Sequence, residues 1–179
     1  MNELQSSAAA LNVLRGVLGG IDATDLDNPT PCSEYDVSAL TDHLLRSVAL
    51  LGSAAGAQLP ERDPDASVEL QVIPAATAAL QAWQRRGVEG DIDFGPQPFP
   101  ARLVVGIMAL EYLVHAWDYG TAVGADVPVP DDVARAVLGL AQQVITPEGR
   151  KRAGFDDPVD VAGHAPAMDR LIAFTGRRP

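Results

Sequence analysis

Apolar residues recur at helical spacing along most of the chain. Leu4, Ala8, Leu11, Leu14, Val17 and Leu18 form one stripe. They predict a helix from Glu3 to about Leu18, closed by Gly19 and Gly20. The stretch "IDATDLDNPTPCSEYD" follows, too rich in Asp, Asn and Pro to sustain a helix. A second stripe, Val37, Leu40, Leu44, Val48 and Leu51, predicts a helix over Asp36–Gly52 with Asp36 as its N-cap. Ser67 caps a third over Val68–Arg86, where Pro74 is expected to produce a kink and Gly87 ends the run. Pro100, a favourable first helical residue, opens a fourth over Ala101–Val123, which stops at Gly124. A fifth is predicted over Asp131–Val144 and a short last one over Ala167–Thr175. Pro158–Val161 reads as extended, a short strand or a clamp over the bundle. Little other β-structure is expected. Four substantial helices joined by irregular loops predict an all-α four-helix bundle with short C-terminal additions, a single domain over residues 1–179.

The fourth helix departs from the simple amphipathic pattern. At about 100° per residue it is apolar nearly all round, which marks a buried helix. Yet Glu111, His115 and Asp118 fall within one narrow sector of "MALEYLVHAWDYG". A buried carboxylate or imidazole is costly unless it is paired or bound to metal. One reading is a hydrogen bond between Glu111 and His115, one helical turn apart. The other is shared ligation of an ion, since side chains at i and i+4 point the same way. A third ligand must then come from another helix. The chain has three histidines, and His43 lies at the edge of the second helix's apolar stripe, beside Leu40, Ser47 and Leu50. Two histidines and one glutamate are the donor set of catalytic zinc sites with an open position, and of several other transition-metal sites.

Charge and cysteine content narrow the function classes. Lys and Arg number 13 against 24 Asp and Glu, a formal net charge of -11. Nucleic acid and anionic membrane are therefore poor partners. The single cysteine, Cys32, permits no intrachain disulfide and fits a reducing compartment. The first residues lack a basic segment followed by a continuous apolar one, so no signal peptide is expected, and no run is long enough to span a membrane. A cytoplasmic protein acting on a small molecule, as monomer or homodimer, is the expectation.

Three stretches resemble a known family. "TPCSEYDVSALTDHLL" is similar to the start of the second helix in the DinB-like superfamily, with Tyr35 where Trp is common. "ALEYLVHAWDYGTAVG" resembles the fourth helix of its branch typified by the N-terminal domain of mycothiol-dependent maleylpyruvate isomerase. "FDDPVDVAGHAPAMDRLIAFTGRRP" resembles the tail of an uncharacterised branch. The resemblance implies a DinB-like bundle whose divalent metal, with zinc foremost and nickel, iron or manganese as alternatives, is held by His43, Glu111 and His115. It also implies, more distantly, a low-molecular-weight thiol such as mycothiol. The isomerase has a further C-terminal domain for which this chain has no room, so maleylpyruvate isomerisation itself is not expected. Metal activation of a thiol for attack on an electrophile is the leading chemistry. Metal-assisted hydrolysis, and a non-catalytic binding or scaffold domain with a structural metal, are the competing ones.

The remaining polar residues read as structural. Asp118 is assigned to capping or loop anchoring near the helix end, against the competing role of orienting a ligand histidine. Cys32 reads as a small buried hydrophobe in a turn, against the competing role of a reactive thiol, and His164 as solvated. Trp83 and Trp117 read as packing residues. Arg150, Lys151 and Arg152 read as a solvated basic loop, or less readily as a contact for an anionic substrate.

Overall fold

The computed structural model describes residues 1–94 and 97–179, apart from the Arg152 side chain. Its main helices are α1 (Glu3–Leu18), α2 (Val37–Ser53), α3 (Val68–Arg86), α4 (Ala101–Val123), α5 (Asp131–Val144) and α6 (Ala167–Phe174). Each is bounded by local chemistry. Asn2 and Gln5 form a reciprocal capping box at the start of α1. Asp36 and Ser67 accept from Ala39 N and Leu70 N at the starts of α2 and α3. Gly124, at φ 65°, ends α4 in the left-handed conformation. Pro74 lies within a continuous α3 and is exposed. The Leu70 carbonyl that it leaves without a helical donor belongs to a residue on the solvent side of that helix.

Helices α1 to α4 close a ring in which α1 packs on α3 and α4, and α2 on the same two. Helix α5 lies across α4 and α1, and α6 docks on α5. Helix α4 is therefore packed against α1, α2 and α5, which explains why it is apolar on every side. Val104, Met108, Tyr112, Leu113 and Tyr119 are all fully buried on it. A single connected core joins these residues to Leu14, Leu44, Trp83 and Val137. Between α1 and α4 the Ser7 hydroxyl donates to the Val105 carbonyl at 2.7 Å. The Trp83 indole donates to the Leu51 carbonyl at 2.9 Å, satisfying one acceptor that the end of α2 leaves open.

Three expectations need correction. The loop before α4 contains a short antiparallel hairpin, β1 (Asp91–Asp93) with β2 (Pro98–Pro100), in which Ile92 faces Phe99. Pro158–Val161 forms no strand. It is held by one bond, from Val159 N–H to the Ala173 carbonyl, and so acts as a clamp on α6. Arg150 is not solvated: it is buried, lies over the Phe174 ring at 4.8 Å and donates to the carbonyls of Asp156 and Phe174. An isolated guanidinium can be buried there because two carbonyls and an aromatic face replace its water. Lys151 remains exposed. The Arg152 side chain lies outside the described residues. Among the described residues, no helix is long and apolar enough to cross a membrane.

Candidate metal centre

The structure brings His43 of α2 together with Glu111 and His115 of α4. Their nearest donor atoms all lie within 4.8 Å of one another. His43 Nε2 is 3.6 Å and His115 Nε2 is 3.7 Å from Glu111 Oε2. Both separations exceed a hydrogen bond. Glu111 Oε2 is buried and, among the described residues, has no hydrogen-bond partner. Burial alone would raise the Glu111 carboxyl. The nearby His43 and His115 imidazoles, helped by Ser47, more than reverse this and bring it down to about 2. An ionised carboxylate oxygen thus sits between two ring nitrogens and bonds to neither. Such an atom is expensive to bury alone and well suited to sharing a cation with its neighbours. The simple Glu111–His115 hydrogen bond, the bland alternative, is not formed.

The two imidazoles are held by different means. His115 is buried, and its Nδ1–H donates to Asp118 Oδ2 at 2.8 Å. That bond places the proton on Nδ1 and leaves the Nε2 lone pair facing Glu111. Asp118 is fully buried and also receives two bonds from Arg177: Nε to Oδ1 at 2.7 Å and Nη2 to Oδ2 at 2.8 Å. Burial would raise the Asp118 carboxyl, but His115 and Arg177 hold it below its ordinary value. Asp118 is therefore no helix cap. It supports a histidine of the cluster and anchors the C-terminal tail at once, so the structural reading favoured from sequence was too narrow. His43, about a third exposed, is instead stacked on Tyr35, with centroids 5.1 Å apart and planes inclined by 25°. It meets His115 edge to face at 5.1 Å.

The "TPCSEYD" loop delivers Tyr35 to that position. The Thr30 hydroxyl donates to the Tyr35 carbonyl at 2.7 Å and receives the Cys32 N–H at 3.2 Å. Tyr35 N–H in turn closes on the Cys32 carbonyl at 2.8 Å. The loop wall, the three clustered side chains and the segment 151–157 enclose a cavity of about 520 Å³. Leu110, Val114 and Phe155 supply apolar wall, while Lys151, Asp156 and Asp157 supply charge. Cys32 lines the cavity but is not one of the clustered donors. Burial, opposed by Arg177, pushes its thiol up to about 11. His164 is exposed and lies away from the cavity lining. Trp83 is fully buried and Trp117 partly so, both packed in the core.

Sequence reasoning did not identify Arg177. Its signals were a buried acid on α4 that lacked a cation and the "GRRP" end of the tail that resembles an uncharacterised branch, and nothing in the sequence joined the two.

The family model of the mycothiol maleylpyruvate isomerase N-terminal domain matches residues 7–120 of this chain. Two uncharacterized proteins of Mycobacterium tuberculosis, Rv0738 from strain H37Rv and MT0763 from strain CDC 1551, are each 26% identical over 179 residues. The alignments cover 99% of this chain and 98% of each relative. No solved structure matches. The chain belongs to the mycothiol maleylpyruvate isomerase N-terminal domain family, and the matched region contains His43, Glu111, His115 and Asp118 but not Arg177.

Proposed function

We propose that this family member holds one divalent transition-metal ion on His43 Nε2, Glu111 Oε2 and His115 Nε2, and uses it on a small thiol bound in the adjoining cavity. The reading is a metal-dependent thiol transferase, with mycothiol or a similar low-molecular-weight thiol as cosubstrate. The observation that carries it is Glu111 Oε2, buried without a hydrogen-bond partner and flanked by two imidazole nitrogens. Two nitrogens and one carboxylate oxygen suit zinc and its neighbours among divalent ions. When bound, such an ion lowers the pKa of a coordinated thiol, making thiolate available near neutral pH.

The chain's own residues supply the rest. Asp118 keeps the His115 proton on Nδ1, so Nε2 presents a lone pair. Glu111 contributes the negative charge that a divalent ion requires. Leu110, Val114 and Phe155 limit water in the cavity, and a thiol's organic portion has about 520 Å³ to occupy. The family name favours a small organic thiol over bulk hydrolysis, and the mixed wall, apolar at Leu110, Val114 and Phe155 and polar elsewhere, suits a thiol that carries polar groups.

The test begins with elemental analysis of the purified protein. One equivalent of metal is expected in wild type. His43→Ala, Glu111→Gln and His115→Ala should each lose it while remaining helical. Thiol-adduct formation with a model electrophile should then require metal and stop with chelator. A wild-type protein that binds no metal on reconstitution refutes the metal reading. One that binds metal but forms no adduct refutes the transferase reading.

A further inference from the structure

We infer that Arg177 is a positioning residue for the metal centre, reaching His115 through Asp118 from beyond the residues that the family model matches. This rests on the ligand assignment proposed above for His115. Arg177 is buried, and both of its bonds to Asp118 fall between 2.7 and 2.8 Å. The pairing is a fork on a carboxylate, which fixes the plane of that carboxylate as well as its place. Asp118 Oδ2 accepts from both Arg177 Nη2 and His115 Nδ1. A rotation of the Asp118 carboxylate would therefore break its bond to the imidazole. His43 has aromatic neighbours to hold its ring; His115 depends on this relay for its tautomer.

The tail is built to deliver the guanidinium. At the end of α6, Arg177 N–H bonds to the Ile172 carbonyl and Gly176 N–H to the Ala173 carbonyl. That is the paired closure of a Schellman turn, with Gly176 at φ 88° in the left-handed position. A Cβ on Gly176 would stand 2.8 Å from the Asp156 carbonyl oxygen. The glycine thus lets the chain pass under the segment 155–157, which also forms a cavity wall, and turn Arg177 inward. Thr175, itself buried, ties its hydroxyl to the Ile172 carbonyl at 2.8 Å and stiffens the same turn.

Metal affinity and imidazole tautomer together test the assignment on the whole chain. Zinc affinity is measured by competition with a chromophoric chelator. The tautomer of His115 is read from long-range proton–nitrogen correlation spectra of the metal-free protein. Arg177→Met should weaken zinc binding roughly 10- to 100-fold and convert His115 from a single Nδ1–H tautomer to a mixture. Arg177→Lys keeps the buried charge but loses the fork. It guards against a Met variant that fails to fold, and should fall between wild type and Met in both readouts. A folded Arg177→Met or Arg177→Lys variant with wild-type zinc affinity and an unchanged His115 tautomer overturns the proposal. If wild type binds no zinc, the ligand assignment fails, while the tautomer comparison still decides for or against Arg177.

Discussion

Tyr35 lies face to face with His43, its ring centroid 5.1 Å away and its plane only 25° off parallel. The stack comes from the loop before α2, and His43 comes from the helix itself. The loop therefore sets the angle of a ring that belongs to another element. Tyr35→Ala should lower zinc affinity roughly 2- to 10-fold, the worth of one aromatic pair. Tyr35→Trp should retain wild-type affinity, because a larger face stacks equally well. Chelator competition checks both.

The acid range should reveal Glu111. Its carboxyl stands near 4.5 ordinarily and at about 2 in the folded protein. Between those values the unfolded chain binds the extra proton, so folding is favoured more as pH rises. The contribution is complete above about 4.5 and is lost as pH falls toward 2. Asp118, also held low, acts in the same direction. Urea midpoints of the metal-free protein should therefore drop steeply below pH 4.5 in wild type and less steeply in Glu111→Gln. Equal slopes would show that Glu111 is not ionised ahead of its unfolded form.

Gly106 permits the close approach of α4 and α5. A Cβ there would intrude on Leu140, 2.8 Å from its Cγ. Gly106→Ala should cost about 1–3 kcal/mol through overpacking, even though alanine is the better helix former by about 1 kcal/mol. In a Leu140→Ala background the same change should be neutral or stabilising. Thermal or urea unfolding of the four proteins reads the coupling.

Cys32 also lines the cavity. With its thiol raised to about 11, it carries little thiolate at neutral pH. Iodoacetamide at pH 8 should alkylate it far more slowly than free cysteine. Cys32→Ser should leave metal content unchanged. Loss of metal in that variant would place a sulfur in the ligand set.

The helices were legible wherever a stripe met a punctuating residue. Glu3–Leu18, Val68–Arg86, Ala101–Val123 and Asp131–Val144 run as their apolar periods and flanking glycines, serine and prolines imply. Helix α2 begins one residue later than Asp36, which serves as its cap, and α6 stops one residue before Thr175. The His43, Glu111 and His115 cluster was legible because burial makes polar residues on an apolar helix conspicuous. What escaped were contacts without local period. The hairpin of Asp91–Asp93 with Pro98–Pro100 is three residues per strand and carries two prolines, which argue against a strand. Arg150 reads as surface in a basic run, and only the carbonyls of Asp156 and Phe174, brought in by tertiary packing, make it a core residue. Arg177 and Asp118 are 59 positions apart, a distance across which no pattern of residues announces a partner.

That separation also sets an order of events during synthesis. Helices α1 to α4 contain all three clustered donors and can begin to pack as soon as they emerge. At about 5–20 residues per second, the arginine that locks Asp118 is made roughly 3 to 12 s after it. In that interval Asp118 faces His115 without the Arg177 fork that later closes over it. On the function proposed above, a chain stalled before the last turn of α6 would carry the three donors yet hold a metal ion more weakly than the finished protein.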